Sequence, residues 1–278
     1  MKIKLDYIAR VEGEASVKLD IKDGRLNDLK LNIWEPPRFF EGFLKGRKFD
    51  EVPDIVARIC GLCPVSHMTT AIRALEKCLS ITPSPEAVRL RRIMALSQTV
   101  SSHLVHLYML ALPDYFRFPS VVEMIPDFKN EISRLIRMKE ILNGITSLFG
   151  GGRALHPVAM TVSGFTCVPS KDKIGILQKG LEDIRGDALA TLDMVAGLGF
   201  PDFKTDLEFV ALKSAAGYAV DEGRVVSNKG MDIEEGNYTD FFEESESPHS
   251  NAKKTTVKGR GALMAGALAR VNLNFDML

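Results

Sequence analysis

The chain has 278 residues, 45% hydrophobic and 26% charged, with 36 basic residues balancing 36 acidic ones. That length can bury a full core as one large or two smaller domains, and the balanced charge offers no electrostatic footprint for nucleic acid or an anionic membrane. No run supplies the roughly 20 apolar residues that span a bilayer, and residues 1–5 alternate lysine with apolar side chains rather than forming the apolar core of a signal peptide.

In chain order, the first 34 residues read as β structure. Ile3, Leu5 and Tyr7 alternate, then Val17, Leu19 and Ile21, then Leu29, Leu31 and Ile33. Asp23-Gly24 reads as a hairpin turn between the second and third runs. After Pro36-Pro37, residues 38–46 suggest a short aromatic helix with Glu41 among Phe39, Phe40, Phe43 and Leu44. On pattern alone Glu41 faces water; inside the apolar cluster it would need a cation, hydrogen bonds or a proton.

From Pro53 the pattern turns helical. A helix is expected from Pro64 to about Leu79, and another from Pro85, capped by Ser84, to about Leu112, where Pro113-Asp114 breaks it. His103 and His106 lie three apart on that helix, a spacing more common for hydrogen-bonded core histidines than for ligands. A further helix covers about 128–149 and ends at Gly150-Gly151-Gly152. An irregular stretch with His156 before Pro157 follows, then one amphipathic helix from about 169 to 198. After Asp206 come short strands and acidic loops. The fold class is therefore α+β, mainly α: a long-helix bundle with an N-terminal antiparallel sheet and a small β-containing insertion. The expected parts are 1–52, 53–200 and 201–278 of a single domain.

The most informative stretch is residues 58–67, R-I-C-G-L-C-P-V-S-H. Pro64 suits the first helical position, which puts Cys63 at the helix cap, where the dipole favours a thiolate. Thiolates bind soft metals. His67 lies one helical turn past Cys63, so its ring can reach back to that sulfur. Spacing alone leaves several readings open: a metal site, a structural zinc site, a redox pair, or buried small side chains. The other two cysteines, Cys78 and Cys167, are scattered. Four cysteines without an export signal suit a reducing, cytoplasmic compartment.

Residues 58–67 resemble the N-terminal metal motif of nickel–iron hydrogenase large (alpha) subunits, R-x-C-G-x-C-x-x-x-H. R-V-E-G at 10–13, F-F-E-G-F-L-K-G-R at 39–47, S-H-L-V-H-L-Y-M-L-A-L-P-D at 102–114, G-G-R-A-L-H-P at 151–157 and G-A-L-A-R-V-N-L at 266–273 resemble further family blocks, in the family's order. The style is that of cytosolic multisubunit enzymes. The resemblance implies the large-subunit fold and the reversible heterolytic oxidation of dihydrogen to protons and electrons. It implies a nickel–iron centre with carbon monoxide and cyanide on iron. Cys60 would be a terminal nickel ligand, Cys63 would bridge nickel and iron, and His67 would hydrogen-bond near the bridging sulfur. Glu12 would relay protons, and Glu41 would hold magnesium or a similar structural cation. Further electron-transfer subunits and an iron–sulfur small subunit are the implied partners.

Glu14 departs from the family, which often has histidine there. The second family motif, D-P-C-x-x-C-x-x-H, has no counterpart, since no cysteine follows Cys167. The arginine of the A-P-R-G segment is also missing. The expectation is a C-terminally truncated large subunit holding half of the metal ligands and inactive as this chain alone. The competing readings are a zinc-binding helical interaction module and a metal-free relative of the complex I type.

Overall fold

Three strands open the chain in the computed structural model, which describes residues 1–11 and 13–278. They are β1 (Lys2–Leu5), β2 (Ala15–Lys22) and β3 (Arg25–Ile33), antiparallel in that order. Asp23 and Gly24 both take positive φ, 49° and 73°. That is the mirror-image turn whose twist matches its flanking strands, and it sets Val17 opposite Leu31 and Leu19 opposite Leu29. Helix α1 (Pro37–Leu44) follows, with Phe39 edge-on to Phe40 and stacked on Phe43.

The chain divides into two compact units: residues 44–202, and residues 1–43 together with 203–278. The 44–202 unit contains α2 (Val52–Val56), α3 (Pro64–Leu79), α4 (Pro85–Val105) and α5 (Lys129–Phe149). Ser84 Oγ accepts from the Ala87 N–H at 3.2 Å and Pro85 takes the first turn, as the sequence leads one to expect. Beyond α4 the chain stays helical where a break was expected. Residues His106–Ala111 form a π-helical turn, and Leu112–Tyr115 a short α-helical one. The wider turn resets the hydrogen-bond ladder. Pro113 then falls in a first turn, where its missing N–H has no partner to lose. Leu104, Tyr108 and Leu112 thereby stay buried against Met124, Leu135 and Met138.

A two-stranded hairpin, β4 (Met160–Thr161) and β5 (Gly164–Phe165), precedes α6 (Lys171–Asp183) and α7 (Arg185–Ala196). The single helix expected over 169–198 is thus two. Ile184, at φ −87° and ψ −1°, sits between them and packs on the core around Leu135. Gly186 lowers the helix propensity just beyond it.

The remaining chain builds β6 (Glu208–Lys213), β7 (Arg224–Ser227), β8 (Asp232–Ile233), β9 (Phe242–Ser247), β10 (Ser250–Val257) and β11 (Gly261–Met264). They form one six-stranded sheet in the order β8-β7-β6-β11-β10-β9, larger than the small insertion expected. Only β11 and β6 pair in parallel. Val210, Met231, Ile233 and Val257 form the core of this sheet. In the same unit β3 is tied to β10: Ser250 Oγ accepts from the Ile33 N–H at 3.2 Å, and Asn251 Nδ2 donates to the Trp34 carbonyl at 2.7 Å. Among the described residues no helix is long and apolar enough to cross a membrane.

Candidate metal centre

The loop that carries the cysteines runs from the end of α2 to the start of α3. Its first anchor is Ala57, fully buried, whose carbonyl accepts from His156 Nδ1–H at 2.8 Å. His156 adopts a left-handed backbone, φ 51°, in the loop after α5. At the far end Cys63 is the N-cap of α3 and Pro64 its first residue. The cap makes no side-chain hydrogen bond. Its sulfur faces the site instead.

The Cys63 N–H donates to Cys60 Sγ at 3.2 Å. The Cys-x-x-Cys spacing brings the two sulfurs to bonding distance, and here they are joined as a disulfide. The motif leads one to expect free thiolates, and metal binding requires this pair in its reduced form. His67 Nε2 lies 3.5 Å from Cys63 Sγ, which is the approach that one helical turn predicts. Burial pushes the His67 pKa down and so favours the neutral, ligating imidazole. The ligand atoms of Cys60, Cys63 and His67 all lie within 4.8 Å of one another. They form the one such cluster of three or more groups among the described residues. Cys78 and Cys167 are free, exposed and outside it.

A cavity of about 240 Å³ opens beside the loop, lined by Gly61, Leu62, Pro64, Ser101 and Lys139 among others. Lys139 Nζ donates to Ser101 Oγ at 2.5 Å, and burial holds its pKa below the ordinary lysine value.

The other sequence candidates fall elsewhere. Glu12 lies outside the described residues. Glu41 is more than half exposed and pairs at 3.1 Å with Lys253, which also meets Glu244 at 3.2 Å. The two carboxylates raise the Lys253 pKa, with the hydrogen bond to Glu41 the largest cause. An ammonium therefore stands at Glu41, which belongs to no cluster of three metal-ligating groups among the described residues. His106 is exposed.

Sequence reasoning missed three neighbours of the loop: His156, Lys139 and Gln98. Gln98 lies between Ser97 and Thr99 on α4 and is only 7% exposed. Its Oε1 accepts from the Val65 N–H at 2.6 Å, and its Nε2 donates to Ser66 Oγ at 2.7 Å. Its neighbours Ser97, Thr99, Ser101 and Ser102 are polar too, so no pattern in the sequence singles it out.

The sequence model of the family described as nickel-dependent hydrogenase matches residues 38–136. The alpha subunit of sulfhydrogenase 1 from Pyrococcus furiosus is 32% identical over 280 residues, covering all of this chain and 65% of that protein. A relative from Methanothermobacter marburgensis, part of its F420-non-reducing hydrogenase, is 31% identical over 220 residues, 76% of this chain and 45% of the relative. The chain thus spans less than two thirds of the length of these relatives. The structure of an NAD+-reducing [NiFe]-hydrogenase in its H2-reduced state shares the fold, with a TM-score of 0.88 over 98% of this chain and 66% of that one at 24% identity. With the Cys60–Cys63–His67 cluster at the head of α3 and this similarity along its whole length, the chain belongs to the nickel-dependent hydrogenase large-subunit family.

Proposed function

We propose that this chain supplies part of the catalytic site of a nickel–iron hydrogenase, which oxidises dihydrogen reversibly to two protons and two electrons. The observation that carries the reading is the cluster of Cys60, Cys63 and His67 in a chain of this family. The donor set fits a soft metal: two sulfurs able to ionise, with a neutral imidazole beside one of them. The bound centre, its iron carrying carbon monoxide and cyanide, would supply Lewis-acid and redox chemistry. In this reading Cys60 and Cys63 would hold the centre through their thiolates, Cys60 as a ligand to nickel and Cys63 as a ligand to nickel and iron. His67 would hold the Cys63 sulfur by a hydrogen bond and thereby tune it. Glu12, which lies outside the described residues, would take the family's proton-carrier role, chemistry that suits a carboxylate. The remaining thiolates come from outside the cluster, because Cys78 and Cys167 are exposed and apart from it.

The two remaining cysteines are too few for an iron–sulfur cluster of the four-cysteine kind. Electrons therefore leave, in the cytoplasm, to further electron-transfer subunits by way of an iron–sulfur small subunit. The surroundings of Glu41 do not fit magnesium, a hard cation that wants several oxygen ligands. The Lys253 ammonium already neutralises that carboxylate.

The test is the metal content and intact mass of the native protein with whatever chains copurify. Nickel and iron together with a second cysteine-bearing chain support the reading. One zinc per chain, with a chelator that melts the fold, would replace it with the zinc-binding module.

A further inference from the structure

Cys63 occupies a position that ordinarily calls for a capping side chain. It is the N-cap of a 16-residue helix, where the usual residue is serine, threonine, aspartate or asparagine. Those residues are favoured because their side-chain oxygen accepts from the second or third N–H of the helix, groups that otherwise have no partner. Cys63 makes no such bond, and sulfur is a weak acceptor. Pro64 has no N–H, so the first donor of α3 is Val65. Val65 is fully buried, and water does not reach it.

The missing cap comes from another helix. Gln98, 33 residues away on α4, accepts from the Val65 N–H at 2.6 Å. Its other end donates to Ser66 Oγ at 2.7 Å, so both ends of the amide are engaged and its orientation is locked. Gln98 is itself buried at 7% exposure, flanked on α4 by the buried Met94 and Ala95. The cap is thus carried by a rigid element rather than by the loop.

We propose that Gln98 is a positioning residue for the metal ligands: by capping α3 from outside, it lets Cys63 stand at the helix terminus with its sulfur turned toward Cys60 and His67 rather than onto the helix backbone. The division of labour resolves a conflict in the local sequence. A residue that capped the helix itself would turn its side chain onto the backbone; a residue that ligates must turn it away. With the cap supplied by Gln98, the Cys63 sulfur keeps both its 3.5 Å approach to His67 and its place beside Cys60. The inference rests on the metal-site reading for its consequence, and on the hydrogen bonds alone for its mechanism.

Two readouts on the reduced full chain separate these. The first, without metal, is hydrogen–deuterium exchange at the Val65 amide. The second is titration with nickel(II) alone, followed by thiolate-to-nickel charge-transfer absorption. Gln98→Met removes both hydrogen bonds at nearly the same volume. It is expected to speed Val65 exchange about tenfold or more and to weaken nickel binding about tenfold. Gln98→Glu keeps an acceptor for the Val65 N–H and is expected to restore both to within about threefold of the native chain. Unchanged Val65 exchange in Gln98→Met overturns the capping role. Faster exchange with nickel affinity unchanged overturns the positioning role. If the native chain gives no thiolate–nickel band, the metal reading fails; the exchange experiment then still decides whether Gln98 caps α3.

Discussion

Arg91 grips both carboxylate oxygens of Glu76, at 2.9 and 2.7 Å, with each side chain only 4–5% exposed. The pair joins α3 to α4 and reaches further. Glu76 Oε1 also accepts from the Ser163 N–H at 2.7 Å, and Arg91 Nη2 donates to the Thr161 carbonyl at 3.0 Å. The β4–β5 hairpin is thereby fastened to α3 and α4. Removing one partner leaves a buried charge uncompensated, which costs about 3–5 kcal/mol. Glu76→Ala should therefore lower unfolding stability by that order in chemical denaturation. The double change Glu76→Leu with Arg91→Met should lose clearly less. Equal losses would show that packing, not charge, holds this joint.

His67 is expected to act through Cys63. Side chains that orient metal ligands typically govern affinity by about 10–100-fold. His67→Ala should weaken nickel(II) binding by the reduced chain within that range while leaving the thiolate-to-nickel band present. Cys63→Ser should abolish the band. Unchanged affinity in His67→Ala would remove the ring from the site.

Lys139 gives a pH signature. Burial depresses its pKa, and no carboxylate pairs with it among the described residues, its bond being to Ser101. The charged form is thus the disfavoured one in the folded chain. At low pH both folded and unfolded states are protonated, and the full penalty stands. As pH rises through the folded pKa toward the unfolded value near about 10.4, the folded chain releases its proton first and stability is recovered. Subtracting the unfolding free energy of Lys139→Met from that of the native chain should give a difference that climbs over this alkaline window. A flat difference would mean the ammonium is not desolvated.

Gly150 closes α5 with no room for a side chain. A Cβ there would run into the Thr146 carbonyl oxygen and meet the Arg153 carbonyl oxygen at 2.6 Å, both backbone atoms. Gly150→Ala must therefore shift the loop that delivers His156 to Ala57. The expected loss is on the order of 1–3 kcal/mol, as for other overpacked sites. Gly152→Ala meets no atom within 4 Å but has φ 84°, so its cost is backbone strain of about 1 kcal/mol. A larger loss at Gly152 than at Gly150 would contradict this account.

Much of the fold could be read from residue patterns because the signals were local. The Asp23-Gly24 turn, the Ser84-Pro85 start of α4 and the Pro64 start of α3 each depend on residues adjacent in sequence. What stayed hidden depended on contacts between distant segments. The break at Ile184 follows from its packing on the bundle core, and the passage through Pro113 from a π turn that no propensity announces. At the candidate site the same division holds. Cys60, Cys63 and His67 were visible as a motif, while Gln98 and His156 enter only through bonds spanning 33 and 99 residues. Glu41 faces water as its pattern suggests, while its partner Lys253 stayed hidden because it lies 212 residues away.

The unit that contains the first 43 residues is interrupted in sequence by the whole of the other unit. A chain leaving the ribosome therefore exposes β1–β3 long before β10 exists to supply Ser250 and Asn251 to Ile33 and Trp34. Residues 44–202 face no such delay. Domains generally fold as units in order of synthesis, so the cysteine loop, its Gln98 cap and its His156 anchor are all translated within one uninterrupted stretch. The Cys60, Cys63 and His67 cluster can be assembled while the N-terminal sheet is still waiting for the strand it will be tied to.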